Sequence, residues 1–290
     1  MIKLAAALPL VILSLVCTSV LAAGVSQAGD EKHWFYMVKT KPSNPAREAE
    51  FNIWYDQVDI PDVLEVPGFM RARRGIGQDF PEFPSVNLKG DDGNYVALYN
   101  IETDDIDKSI IDLYVAARKM GAMGRLTNDL KVVEANYYRR AAPPFEVSAA
   151  GSPDWQNYLF VRKILCCRDA VARERLLDWY AKTLLPKMAQ AKGLVRANLY
   201  ELYRIMEVLT VGPEEIPHFL AVYEIEAESP RQAIADIFRA VDKLKEAADV
   251  SKLCREGDGA VYLQTSDVKS KYWPVFKDNS LSINRARRYP

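Results

Sequence analysis

The 290-residue chain carries one residue pattern twice, and the two occurrences lie 125 residues apart. Six residues of the first occurrence have an identical residue at that offset, and the pairs are Trp54/Trp179, Tyr55/Tyr180, Pro61/Pro186, Gly68/Gly193, Arg71/Arg196 and Ala72/Ala197. A strand-like run that starts at Tyr95 matches a second run that starts at Phe219, at an offset of 124. Because similarity at a fixed spacing is the signature of a repeated unit, the chain is predicted to contain two copies of one module.

Each copy has the same predicted order of elements: a strand, a helix, two strands, a helix and a strand. In copy one these elements cover, in order, 34–39, 46–58, a strand after Gly68, a strand from Tyr95, 105–120 and 132–138. Pro61 and its counterpart Pro186 are expected to end the first helix of each copy. The order β-α-β-β-α-β predicts an α+β fold made of tandem ferredoxin-like units.

Composition divides the chain into five segments. They are a signal peptide at 1–28, copy one at 31–142, a linker rich in Pro, Ala and Ser at 143–153, copy two at 154–268 and a tail at 269–290. The signal peptide has Lys3, then an apolar run, then small residues up to Ala28. The mature protein is therefore expected to be periplasmic or secreted and free of the membrane. An uncleaved anchor is the alternative, because the apolar run is about long enough to span a ~30 Å bilayer core.

Export leaves three cysteines, Cys166, Cys167 and Cys254, in an oxidising compartment. In the predicted topology the end of the first strand of a copy lies beside the start of its last strand. We therefore expect one disulfide, from Cys254 to either Cys166 or Cys167. His33 and His218 are the only histidines, which is too few for a metal site of the usual composition.

The charge balance argues against nucleic acid as a partner. Lys and Arg number 38 and Asp and Glu number 39, so the net charge at pH 7 is -1. A chain without a basic field does not attract phosphate backbones. The chain also has no glycine-rich loop for a nucleotide phosphate, and we expect neither a cofactor nor a metal.

The segment from Glu50 to Ala72 resembles the EthD-like branch of the dimeric α+β barrel superfamily, and the Tyr-Val-Ala-Leu-Tyr run from Tyr95 strengthens the resemblance. In that superfamily two ferredoxin-like units pair their sheets into one barrel. The resemblance implies that the two copies pair with each other within this single chain, over about residues 31 to 268. Family members often have His at the position of Asp59, where it is the usual candidate for acid–base work, and copy two has Leu184 there.

Copy one offers the candidate site residues. Asp59 is the candidate catalytic base, although it could instead bond backbone amides at the end of the helix. Arg71 and Arg73 follow Gly68 on the second strand, where alternation places both on one face and Arg74 on the other. The pair could hold a carboxylate or enolate, or could form ion pairs with nearby aspartates.

Aromatic residues complete the candidate site, because Trp54, Tyr55 and Tyr99 could line a pocket as well as fill the core. Two functions remain open at this stage. The protein binds a small apolar or aromatic molecule in copy one without transforming it. Alternatively, it is a cofactor-independent lyase, isomerase or cyclase that uses Asp59 as base, with Arg71 or Arg73 stabilising negative charge.

Overall fold

The computed structural model describes most of both copies. The described residues are 32–83, 86, 93–147, 154–166, 170–208, 218–245 and 254–271. The predicted signal peptide, most of the predicted tail and Cys167 lie outside them. We refer to the described parts of 32–147 and 154–271 as the first and second halves. No helix among the described residues is long and apolar enough to cross a membrane.

Nine strands and six α-helices make up the described structure. The strands are β1 (His33–Pro42), β2 (Phe69–Gln78), β3 (Tyr95–Glu102), β4 (Leu130–Arg140), β5 (Phe145–Glu146), β6 (Gln156–Cys166), β7 (Leu194–Val208), β8 (Phe219–Ala227) and β9 (Cys254–Lys269). The helices are α1 (Glu48–Trp54), α2 (Ile60–Leu64), α3 (Ile106–Ala122), α4 (Ala170–Trp179), α5 (Leu185–Met188) and α6 (Pro230–Lys245).

Eight of the strands form a closed antiparallel barrel. Their order around the barrel is β4-β1-β3-β2-β9-β6-β8-β7, and β7 pairs with β4 to close it. The two seams between the halves are therefore β2 with β9 and β4 with β7. The short strand β5 lies inside the predicted linker and pairs with the start of β7. Closure removes the exposed strand edges that an open sheet would present.

The sheet is buried on both of its faces. One core cluster contains residues of strands from both halves, including Phe35, Leu98, Val161 and Val222, and fills the barrel interior. Two further clusters lie outside the barrel, each between the sheet and the helices of one half. Because side chains alternate along a strand, neighbouring residues of β2 point to opposite faces of the sheet. Groups on the two faces are separated by the thickness of the sheet.

The first helix of each half differs from the prediction. A π-helical segment follows α1 at Tyr55–Asp59 and follows α4 at Tyr180–Leu184, and helical structure then continues through α2 and α5. Pro61 and Pro186 therefore do not end the helices. Each proline lies in the first turn after the π segment, where a missing backbone N–H is tolerated.

Gly68 and Gly193, which precede β2 and β7, have the same backbone conformation. Both have φ of 92°, in the left-handed region that favours glycine. A Cβ atom on Gly193 would also lie only 2.7 Å from the carbonyl oxygen of Glu226. The recurrence of glycine at these two positions therefore has a local steric cause.

Candidate functional site

Asp59 is the last residue of the π segment in the first half. The hydroxyl of Tyr99 on β3 donates a hydrogen bond to Asp59 Oδ2 over 3.3 Å. The residue keeps partial contact with solvent, but protein atoms surround its carboxyl group. This burial raises the pKa of Asp59 from its ordinary value to about 7, although the Tyr99 hydrogen bond and the charge of Arg74 act in the opposite direction. The carboxyl is therefore poised to exchange a proton at neutral pH.

Phenol rings form one side of this site. Tyr36 on β1 stacks on Tyr137, with ring centroids 4.2 Å apart, and lies 5.8 Å from Tyr99. Tyr55 shares a hydrogen bond with Tyr99, and burial raises the pKa of both phenols well above the usual value. Both groups therefore stay neutral and keep a proton to donate.

Arg74 supplies the positive charge of the site. Its guanidinium donates to Asn52 Oδ1 over 2.5 Å and to Asp56 Oδ1 over 3.2 Å. The same group lies 4.6 Å from the ring centroid of Tyr55 and 4.7 Å from that of Tyr95, within cation–π range. We call Tyr36, Tyr55, Asp59, Arg74 and Tyr99 the Asp59 site.

The structure does not bring Arg71 and Arg73 together with Asp59. Both arginines point into the barrel, where Arg71 forms a bidentate pair with Asp267 at 2.7 and 2.6 Å. Arg73 pairs with Glu224 at 2.5 Å. The expected alternation along β2 is present, but the face that meets Asp59 is the one that carries Arg74. The expectation that Arg71 or Arg73 acts on the same ligand as Asp59 is thus wrong, because the sheet lies between them.

The predicted aromatic residues lie at different depths. Tyr55 and Tyr99 are buried and belong to the Asp59 site. Trp54 is at its edge, where its indole N–H donates to the carbonyl of Arg125 over 2.7 Å and its ring meets Tyr55 edge-on. The indole therefore ties α1 to the segment that follows α3, and its ring contacts the Tyr55 ring of the Asp59 site.

The matching positions of the second half are almost entirely apolar. At offsets of 124 or 125 the exchanges are Tyr36/Phe160, Asn52/Leu177, Asp56/Ala181, Asp59/Leu184, Arg74/Leu199, Tyr95/Phe219 and Tyr137/Val261. The strand pairings support this correspondence, since Tyr36 faces Tyr99 as Phe160 faces Tyr223. The tyrosines equivalent to Tyr55 and Tyr99 remain, with their hydroxyls 3.1 Å apart.

These exchanges were the signal that sequence reasoning missed. Arg74, Asn52 and Asp56 are polar, whereas the residues at the matching positions of the other copy are apolar. This contrast between the copies can be read from the sequence alone.

The described residues contain no group of three or more His, Cys, Asp and Glu side chains placed to hold a metal ion.

No family model and no curated protein matches the chain. Among solved structures, an anthrone oxidase-like protein is similar at 13% identity and a TM-score of 0.50, over 83% of this chain and 95% of that one. A mutant chlorite dismutase from Candidatus Nitrospira defluvii has 14% identity and a TM-score of 0.46, over 81% and 92% of the two chains. A dye-decolorizing protein from V. cholerae has 10% identity and a TM-score of 0.44, over 82% and 93%. The likeness to the anthrone oxidase-like protein, together with the closed eight-stranded barrel, shows that the chain has the dimeric α+β barrel fold.

Proposed function

We propose that the first half binds a small aromatic molecule with an acidic proton at the Asp59 site, and that Asp59 removes this proton as a general base. The observation that carries the proposal is a buried carboxyl with a pKa of about 7 that accepts a hydrogen bond from Tyr99. A base is most effective when its pKa lies near the working pH.

The proposed step moves one proton. It leaves an O–H or an acidic C–H group of the ligand and binds a carboxylate oxygen of Asp59, while the electron pair stays on the ligand as a phenolate or enolate. Once Asp59 carries the proton, Tyr99 can turn its hydroxyl hydrogen from Asp59 to that developing oxyanion, and the charge of Arg74 favours it. Return of the proton to another atom completes an isomerisation. Bond cleavage or ring closure from the anion gives a lyase or a cyclase, again without a cofactor.

A chromogenic phenol tests both binding and proton transfer. 4-Nitrophenol absorbs visible light only as the phenolate, so its spectrum reports where the proton lies. At pH 7, where about half of the Asp59 carboxyl groups are ionised, we expect the protein to bind the probe and to increase its phenolate absorbance. Asp59→Asn should still bind but lose at least about nine tenths of the increase, because an amide cannot accept the proton.

The matched control is Leu184→Met, at the equivalent position of the second half, which should behave as the wild-type protein does. Binding by the wild type without any rise in phenolate would show a binding protein that does not transform its ligand. Absence of binding, or an unchanged response in Asp59→Asn, would overturn the proposal for this site.

We also infer that each half is a ferredoxin-like unit and that the chain is an EthD-like pseudo-dimer. The order of strands within the first half of the barrel is β4-β1-β3-β2, and the second half has the corresponding order β9-β6-β8-β7. Each half also places one helical region before its second strand and one before its last strand. These regularities support an internal duplication.

We propose that the protein is exported to the periplasm or secreted, and that it carries a disulfide between Cys166 and Cys254. The backbones of these residues lie directly opposite each other on β6 and β9. Opposed residues of antiparallel strands have Cα atoms ~4.5 to 5.5 Å apart, within the range that a disulfide spans.

Peptide mapping of the unreduced protein should therefore recover a peptide pair linked through Cys166 and Cys254, with the Cys167 thiol free. The bond would close a loop of about ninety residues, for which the chain-entropy model gives at most about 4.6 kcal/mol of stabilisation. Reduction should lower the unfolding midpoint accordingly. Three free thiols in the map would exclude the bond.

A further inference from the structure

A cluster of charged side chains lies inside the barrel, at the end where β2 and β7 begin. Arg71 and Arg73 reach it from β2 and Arg196 from β7, while the carboxylates of Glu224 and Asp267 come from β8 and β9. Arg73 is only 1% exposed, whereas Arg196 keeps 29% of its side-chain surface in solvent. We call these five residues the barrel mouth; solvent exposure falls across it from Arg196 to the buried Arg73.

The barrel mouth has more positive than negative charge around it. Arg140 on β4 acts electrostatically on Tyr200 there, and Lys269 acts on Asp267. Within the barrel mouth three arginines therefore face two carboxylates, Glu224 and Asp267, while Glu146, whose side chain is 57% exposed, pairs with Arg196 from outside. Anions are attracted to a partly desolvated site with such an excess.

The two carboxylates do not cancel the excess by changing their protonation. Burial by itself would raise the pKa of Glu224, but the charges of Arg73, Arg71 and Arg196 outweigh it and hold that pKa below the usual range. The hydrogen bond and the charge of Arg71 likewise lower the pKa of Asp267 against the effect of burial. Both groups are therefore ionised at neutral pH and already occupied by their arginines.

Some guanidinium donors of the barrel mouth remain without an acceptor. The Nε–H groups of Arg73 and Arg196 are buried, and neither has a hydrogen-bond partner among the described residues. A buried donor without an acceptor is costly, and an oxyanion is the ligand that arginine donors match best. Phe35 and Tyr200, both buried and stacked with centroids 4.3 Å apart, lie on the interior side of these arginines. Their packing limits the depth of the site, so the ligand must be compact.

We propose that the barrel mouth binds a compact oxyanion, of the carboxylate or phosphate class, through Arg73 and Arg196. This site is distinct from the Asp59 site, because it lies on the opposite face of β2. It combines residues of both halves, so each half alone would lack part of it. The proposal does not depend on the proposed proton transfer.

Calorimetric titration of the full chain with acetate and with inorganic phosphate, at constant ionic strength, tests the proposal. We expect one equivalent of at least one of these anions to bind, and the preferred anion identifies the class. Arg196→Gln should weaken binding by at least about tenfold, because it removes a charge and a donor from a partly exposed position. Arg231→Gln, which removes an exposed cation paired with Glu82 elsewhere, should bind as the wild type does.

A double variant distinguishes loss of the anion site from loss of the fold. Arg73→Met combined with Glu224→Met removes a buried ion pair as a unit, so no unpaired charge is left behind. It should keep the circular dichroism spectrum of the fold and lose anion binding. Asp59→Asn should bind the anion normally even if it fails with 4-nitrophenol. Absence of binding below about 10 mM of either anion, or wild-type affinity in Arg196→Gln, would overturn the proposal.

Discussion

At pH 8.5 the Asp59→Asn variant should be more stable than the wild-type protein by about 3 kcal/mol, although it loses the proposed base. The folded protein raises the pKa of Asp59 from 3.8 to about 7, mainly by burial. Each unit of such a shift corresponds to about 1.4 kcal/mol, which sets an upper limit of about 4 kcal/mol. Partial contact of the residue with solvent lowers the expected figure.

The pH dependence of unfolding determines which of the two proteins is the more stable. Below about pH 4 the carboxyl is neutral in both the folded and the unfolded chain, so Asn and Asp should be nearly equivalent there. Between about pH 4 and pH 7 the unfolded chain loses the proton first, and the free energy of unfolding of the wild type falls as the pH rises. The amide does not titrate. The difference between variant and wild type should therefore grow over this window and then level off.

Urea denaturation of both proteins at pH 4, 5.5, 7 and 8.5 measures this difference. Comparison at each pH cancels the contributions of the other carboxylates. A difference that is constant across the series would show that Asp59 has an ordinary pKa in the folded protein, and the general-base proposal would lose its foundation.

Arg74→Leu should destabilise the protein by about 3 kcal/mol at pH 8, the second large effect. The guanidinium is 2% exposed and holds Asn52 and Asp56 by hydrogen bonds. Removal of the guanidinium leaves Asn52 and Asp56 without their donor, and because Asp56 keeps 39% of its side-chain surface in solvent, the expected loss lies at the low end of the range for a buried pair. The substitution also removes the charge that lowers the pKa of Asp59, so that pKa should rise above 7.

The second half supplies the matched control. Leu199 and Ala181 occupy the positions equivalent to Arg74 and Asp56. The double variant Arg74→Leu/Asp56→Ala reproduces that apolar pair, and it should recover part of the lost stability. Urea denaturation of the single and double variants at pH 5 and pH 8 measures the recovery. If the double variant is no more stable than Arg74→Leu at pH 8, the unpaired Asp56 carboxylate is not the source of the loss.

Much of the framework could be predicted because it depends on local patterns. The 125-residue offset, the alternating runs and the glycines before β2 and β7 are features of neighbouring residues, and they indicated the order of the elements. The two prolines misled because proline is compatible with the start of a helical turn as well as with a helix end. A π segment followed by a new first turn has no simple sequence signature that separates the two cases.

The site was predicted only in part. Tyr55 and Tyr99 could be named from repeated positions and Asp59 from the family resemblance, whereas the choice between Arg71 with Arg73 and Arg74 could not be made. Alternation distinguishes the two faces of a strand, but it does not say which face looks into a barrel and which meets a helix. That assignment depends on how the strands close, a property of the whole chain.

The β2–β9 and β4–β7 seams have a consequence for how the sequence of such a protein can evolve. In a barrel closed by two identical subunits, every substitution appears twice, and a charge introduced at one helix is introduced at the other. Here both seams join segments of one polypeptide, so Asp59 and Leu184 can differ. One half can acquire buried charges that lower the stability of the fold, while the other half retains an apolar interior that stabilises it. The covalent link thus lets stability and chemistry be selected separately within a single closed sheet.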